Sequence, residues 1–454
     1  MNYLSVSHFI KTQLTLFKQP IIKSMVVVAI VSIFIKFTGF YKETVVASFF
    51  GLSEILDTYL IAVLIPTFVQ NVFINAVSNL FVPNFIIELK SSKNVKAFQS
   101  VSFIIVTILV CLLSCICLLF SEFFLTYVFP GHTDRYYYLI RIQSYWTIPC
   151  LFLWGYSSLL TSLLEVKSRY LFSTFSPFFI TLATLICLFF FKNALSIAVL
   201  AVGMLTGSFL SFIYLLALCI YYKELSFGYP KINDNVRRMI TQLPPKLTSG
   251  FLTGTNGFID KFFAAQLVTG SIAALNYGSK IPSFAVAMLI LPLGRVLLPH
   301  FSKTVNTDIR AAYRQLFQII KVVFLSTAIV SLVVLIFSHE VVEMLFEGNE
   351  FTARDTLVVT VIQQIGLVYI PFYLTTLICV KFLTAINKNK FMAWTSFWNL
   401  GVNLILNIVL MRSFGVYGLA LSTTIVYILS CAIYVSFTFR QYQRMDRGVD
   451  QSYI

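Results

Sequence analysis

Predominantly apolar runs of 18 or more residues recur along this chain from one end to the other. Each is long enough to cross about 30 Å of hydrocarbon as a helix. In that solvent every backbone N–H and C=O must find a partner within the protein, so only helices and closed barrels can span it. The strict alternation that a barrel strand requires is absent, which leaves helices. Composition agrees, with charged residues at 11% of 454 against roughly a quarter in soluble proteins. The expected fold class is all-α: a polytopic membrane protein with about twelve transmembrane helices.

The expected spans are 24–43, 57–88, 98–128, 136–163, 170–191, 195–222, 245–267, 271–301, 313–338, 355–386, 391–411 and 415–439. Bends are expected at Pro66, Pro149, Pro282, Pro292 and Pro371. The first span follows a basic start (Lys11, Lys18, Lys23) with no small-residue cleavage site after it, so it reads as a retained helix. The loops sort by charge. One side carries Lys11, Lys18, Lys23, Lys90, Lys93, Lys96, Lys167, Arg169, Lys223, Lys231, Arg237, Arg238, Lys303, Arg310, Arg314, Lys388, Lys390, Arg440, Arg444 and Arg447. The other holds only Lys42, Arg135, Lys192, Arg354 and Arg412, with the acidic group Glu340, Glu343, Glu347 and Glu350. By the positive-inside rule both termini are cytoplasmic, which requires an even number of helices. The net charge of +15 is thereby topology, not a nucleic-acid surface.

The longest polar connection lies near the middle and divides the chain. Residues 1–222 form an N-terminal six-helix half, 223–244 a cytoplasmic linker with a short surface helix over 236–242, and 245–454 a C-terminal six-helix half. The halves echo each other. Ile65-Pro66 is followed seventeen residues later by Val82-Pro83, then Asn84-Phe85; Ile281-Pro282 is followed at the same distance by Leu298-Pro299, then His300-Phe301. Each pair lies on the second helix of its half in the same orientation. This is a parallel repeat, and transporters so built place their substrate between the repeats.

Ionisable groups inside a membrane cost about 2.5–3.5 kcal/mol each by insertion scales unless paired or hydrated. Lys36 lies deep in the first span and Lys280 well inside the eighth, and both point to a wet cavity. Lys42 and Glu43 follow on the first helix, Asp57 opens the second, Asp260 and Lys261 lie in the seventh, and Arg295 nears the inner end of the eighth. Lys42, Asp57 and Arg295 also sit where interfacial anchors sit. Asn71, Asn75 and Asn79 form a polar stripe on the second helix, either lining the cavity or bonding helix to helix. Cations outnumber acids in this set, so the cavity suits a phosphorylated anion better than a cationic drug.

Catalysis finds no support. No P-loop occurs, and the four histidines are scattered without a legible nucleophile–base pair. The eight cysteines, among them Cys111, Cys115 and Cys117, all lie in apolar segments without His or acidic companions. No metal and no cofactor is expected.

Thr38-Gly39-Phe40-Tyr41-Lys42-Glu43, Val45-Val46-Ala47-Ser48, Asp57-Thr58-Tyr59, Phe81-Val82-Pro83, Ala274-Leu275-Asn276-Tyr277 and Gly415-Val416-Tyr417-Gly418 resemble, in order, motifs of the MurJ/MviN lipid II flippases. That family belongs to the multidrug/oligosaccharidyl-lipid/polysaccharide exporter superfamily. The resemblance implies two six-helix bundles around a V-shaped central cavity in a bacterial inner membrane. Arginines line that cavity in the family, and Lys36, Lys42 and Lys280 fall at such positions here, with Asp57 at the family's aspartate. The implied head-group ligands are Lys36, Lys42, Lys280 and Arg295, with Glu43, Asp57, Asp260, Lys261, Asn71 and Asn75 around them. Gln70-Asn71 departs from the family's arginine pair, and about twelve helices replace its fourteen.

The implied activity is movement of an undecaprenyl-diphosphate-linked saccharide, lipid II or a relative, from the cytoplasmic to the outer leaflet by alternating access. A repeat-unit flippase for O-antigen, capsule or exopolysaccharide is the alternative, and a multidrug exporter of the same superfamily the third reading. Expected partners are the polyprenyl-diphosphate saccharide, the bilayer and enzymes of cell-wall or polysaccharide assembly, and not nucleic acid.

Overall fold

The computed structural model describes residues 20–91, 95–119 and 130–446, less the side chains of a few helical positions, Arg295 among them. The described residues are helical almost throughout, with one isolated bridge between Gly348 and Phe351. In order come α1 (Pro20–Phe50), α2 (Glu54–Val69), a π turn (Gln70–Ile74), α3 (Asn75–Ser91), α4 (Val95–Leu119), α5 (Asp134–Thr147), α6 (Cys150–Val166), α7 (Tyr170–Phe175), α8 (Phe178–Leu195) and α9 (Val199–Tyr221). The remainder are α10 (Asp234–Ala264), α11 (Ser271–Gly278), α12 (Lys280–Thr307), α13 (Ile309–Ile336), α14 (Ser338–Phe346), α15 (Ala353–Ala385) and α16 (Asn389–Asp446).

Among the described residues seven continuous helical stretches are long and apolar enough to cross a membrane. Two of them, Tyr170–Tyr221 and Asn389–Arg444, have 52 and 56 residues, more than twice the ~20 a single crossing needs. Each is interrupted near its middle, by Ser196 at φ 44° and by Gly415 at φ 56°, ψ −132°. A left-handed residue ends a right-handed helix, so each stretch provides two crossings. The chain is a multi-pass helical membrane protein.

It packs as two compact units. One comprises Met1–Glu43, Ala62–Leu125 and Asp134–Phe251; the other comprises Thr44–Ile61, Thr126–Thr133 and Leu252–Ile454. In the first, α6 is the central helix, packed by α3, α4 and α9. In the second, α15 holds that place, packed by α11, α12, α13, α14 and α16. These two helices lie on the fourth span of each half, so the internal repeat has a counterpart in the packing. The matched aromatics have one too. Phe85 is buried and stacks on Phe81 and Phe98 at 5.0 and 6.1 Å. Phe301 is equally buried, meets Phe382 edge-on at 5.3 Å, and shares its cluster with Tyr313. Phe98 and Tyr313 each sit in the opening turns of the helix that follows.

The prolines behave in different ways. Pro66 has no N–H to give the carbonyl of Ala62, and the hydroxyl of Thr147 donates to that buried oxygen at 3.1 Å. Pro149 separates α5 from α6. Pro282 is not a mid-span bend: the span expected over 271–301 divides at Ser279, and Pro282 lies in the first turn of α12, where its missing N–H costs nothing. The expected surface helix over 236–242 is likewise corrected, since it forms the opening turns of the longer α10 and carries Pro244 and Pro245 within it.

One packing signal was not read from the sequence. Gly203 and Gly207 on α9 face α8 so closely that an added Cβ would lie 2.9 Å from Thr184 Cα and 2.5 Å from Ile180 Cα. Small residues four apart allow such backbone approach, and without a hydrophobic driving force in lipid that approach is what binds helices. Gly207→Ala is therefore expected to destabilise by about 1–3 kcal/mol, seen as a lowered unfolding temperature of the purified protein. Gly401→Ala, where an added Cβ meets nothing within 4 Å, should leave that temperature unchanged or raised.

Candidate functional site

The sequence-derived site residues fall in both units, and each group is described where it packs. Lys36 occupies the middle of α1, half-buried, with no ion pair or hydrogen bond among the described residues. Six residues on, the Lys42 ammonium lies 2.7 Å from the Glu43 carboxylate. In the same unit Asn71, Asn75 and Asn79 are exposed, and Asn75 Nδ2 donates to Asn71 Oδ1 at 3.4 Å. The π turn Gln70–Ile74 interrupts the regular stagger that spacing alone assigns to this stripe.

In the second unit Asp57 is 1% exposed, and both its oxygens are engaged. Gly270 N–H donates to Oδ2 at 2.6 Å and Ala273 N–H to Oδ1 at 2.7 Å. The reason lies at the start of α11. Its cap residue is Gly270, at φ 94°, with no side chain to accept the first amides. A carboxylate from another helix supplies those acceptors and complements the positive end of the helix dipole. The neighbouring backbone is stitched as well: Glu350 N–H donates to Ser48 O at 3.1 Å, and Asn349 Nδ2 to Ser48 Oγ at 2.6 Å.

Asp260 is a half-buried acid of the same unit. It accepts from Asn407 Nδ2 at 2.9 Å, Asn403 Nδ2 at 3.4 Å and Thr423 Oγ1 at 3.0 Å. It lies in the wall of two cavities inside this unit. One, about 280 Å³, is lined by Asn399, Asn403, Tyr373 and Ser430. The other, about 320 Å³, is lined by Lys261, Asn276, Ser279 and Ser283. Thr423 and Tyr427 border both. Asp260 and Lys261 are thus brought to one cavity. Lys280 opens α12, half-buried, directly after Ser279 of that lining, and the Arg295 side chain lies outside the described residues.

Sequence reasoning missed the partners of Asp260. A signal was available, because Asn399, Asn403 and Asn407 repeat the four-residue spacing already noticed at Asn71, Asn75 and Asn79. Asn407 Oδ1 is buried without a partner. Among the described residues no three His, Cys, Asp or Glu side chains gather as a metal site.

The Asp57 geometry predicts a loss of stability on truncation. Asp57→Ala orphans two buried amides at about 1–3 kcal/mol each, so the unfolding temperature in detergent should fall. Asp57→Asn, which keeps one acceptor, should fall between the two.

The family described as lipid II flippase MurJ matches residues 46–450. A probable lipid II flippase MurJ of Buchnera aphidicola from Acyrthosiphon pisum is 25% identical over 418 residues, 89% of this chain and 81% of the relative. That of Rickettsia prowazekii is 21% identical over 443 residues, 94% and 86% of the two chains. Among solved structures, a lipid II flippase MurJ in an inward closed conformation superposes with a TM-score of 0.77 at 20% identity, covering 93% of this chain and 90% of that one. An inward-facing multidrug transporter of the MATE family gives 0.70 at 11% identity, covering 93% and 100%. At such identities the structural likeness speaks for the fold alone, whereas the family match extends over most of the sequence: the chain belongs to the lipid II flippase MurJ family.

Proposed function

We propose that this chain is a lipid II flippase, carrying an undecaprenyl-diphosphate-linked saccharide from the cytoplasmic to the outer leaflet of the inner membrane, with both termini in the cytoplasm. The process is translocation, without covalent chemistry. The observation that carries the reading is Lys36, a cation at the middle of a 31-residue apolar helix with no acidic partner among the described residues, in a member of this family. An unpaired ammonium at that depth is tolerable if water or an anionic ligand reaches it.

Lys36, Lys42, Lys280 and Arg295 would hold the diphosphate. Ammonium groups act as compact point charges without the forked geometry of arginine, which suits a head group that must be released after each crossing. Glu43 already pairs with Lys42, and an incoming diphosphate would displace it. Asp57 holds α11 in place, so its part in transport would be to fix the backbone leading to Lys280. The prenyl tail would stay in the bilayer while the units alternate between inward- and outward-open states.

In a strain depleted of its own lipid II flippase, the wild-type chain is expected to restore growth. Lys36→Ala and Lys280→Ala are each expected to lower rescue at least tenfold in plating efficiency while membrane abundance stays at the wild-type level. Full rescue by either variant would remove that lysine from the site. Rescue of a strain lacking a repeat-unit flippase, and not of this one, would move the substrate to another polyprenyl-linked saccharide.

A further inference from the structure

The connection between α9 and α10 has properties that head-group binding in the cavity does not use. It leaves α9 at Tyr221, runs without regular structure, and re-enters helix at Asp234. Its backbone is nonetheless fixed. Gln99 donates to Glu224 O at 3.0 Å and accepts from Ser226 N–H at 2.8 Å. Ser100 donates to Gly228 O at 2.8 Å and accepts from its N–H at 3.0 Å. At the far end the buried Glu88 carboxylate accepts from Asn233 and Asn235 amides at 3.0–3.2 Å.

This anchoring consumes acids and leaves cations outside. Glu88 is turned inward, and Glu224 faces Arg169 at 3.4 Å and Lys167 at 4.0 Å. Lys223, Lys231, Arg237 and Arg238 are exposed, against Asp234 as the exposed acid of the segment. Between the cations stand Phe227, Tyr229 and Ile232, which are 57%, 90% and 62% exposed. The Phe227 ring meets Phe103 edge-on at 5.3 Å and stays more than half exposed, while the pinned backbone holds Tyr229 and Ile232 outward. Aromatic and aliphatic side chains interleaved with Lys and Arg, at the end of a membrane-spanning helix, match the interface of a bilayer.

We infer that residues 222–238 form a docking surface for the anionic headgroups of phospholipids. The charge balance selects this occupant: each Lys or Arg near an anionic leaflet is drawn to it, and the segment displays four of them. The apolar side chains would enter the headgroup region beside those phosphates and hold the first unit against one leaflet. The surface is distinct from the proposed transport site and stands whether or not the substrate is lipid II.

The test uses the full chain in nanodiscs of phosphatidylcholine with a minority of phosphatidylglycerol, and photoreactive benzoylphenylalanine in place of Tyr229. After irradiation, mass spectrometry of the peptide carrying that position reads which lipid was captured. Phosphatidylglycerol adducts are expected about fivefold or more above its share of the bilayer. Lys231→Gln, Arg237→Gln and Arg238→Gln together should bring the ratio down to the bilayer composition, while lipid adducts persist. Adducts in proportion to composition in the unsubstituted background, enrichment unchanged by the three substitutions, or no lipid adducts at all would each overturn the proposal. In the last case the surface faces water or a protein.

Discussion

Hydrocarbon offers no hydrogen bonds, so each polar group carried into the membrane must bring its partner with it. Most of the specific architecture described above follows from that constraint. Pro66 frees a carbonyl and Thr147 takes it. Gly270 begins a helix without a side chain to cap it, and Asp57 reaches across to accept the orphaned amides. Asp260 is surrounded by two asparagine amides and a threonine hydroxyl. Lys36 stands apart from these, because its ammonium has no partner among the described residues. Its solvation calls for water or a ligand from outside the described residues.

The apolar runs were legible, and so were the interruptions at Ser196 and Gly415, because a crossing has a fixed length and a chain that exceeds it must turn. The repeat was legible as spacing, and the paired aromatics Phe85 and Phe301 give it physical content: each fills the same kind of buried cluster with the helix that follows. Charge sorting identified Asp57 and Asp260 as unusual. It could not say what they bind, since the partners of Asp57 lie 213 and 216 residues away and are backbone amides that any residue could supply. Spacing shows faces of one helix; it does not show which other helix end lacks a cap.

Other features were present in the sequence and went unread. The pattern Gly203-x-x-x-Gly207 has a stated physical meaning in membranes, and Asn399, Asn403 and Asn407 share the four-residue spacing of Asn71, Asn75 and Asn79. The stretch 223–244 reads in the sequence as a linker with a short surface helix over 236–242, and nothing in it shows how it is held. In the structure the side chains of Gln99, Ser100 and Glu88 fasten it, and its turn back into helix starts earlier than the polar composition suggested, at Asp234. Polarity marks what stays out of hydrocarbon, and it does not distinguish a loose tether from a pinned one.

Family membership and a half-buried cation without a partner among the described residues lead to one proposal, that these lysines hold an anionic diphosphate. The most direct measurement is the affinity of the purified wild-type chain for undecaprenyl diphosphate, undecaprenyl monophosphate and undecaprenol, followed by native mass spectrometry. The account predicts binding that strengthens in the order alcohol, monophosphate, diphosphate, with at least about tenfold, or 1.4 kcal/mol, between the first and last. Equal affinity for all three would mean that the prenyl tail alone is recognised, and would contradict it.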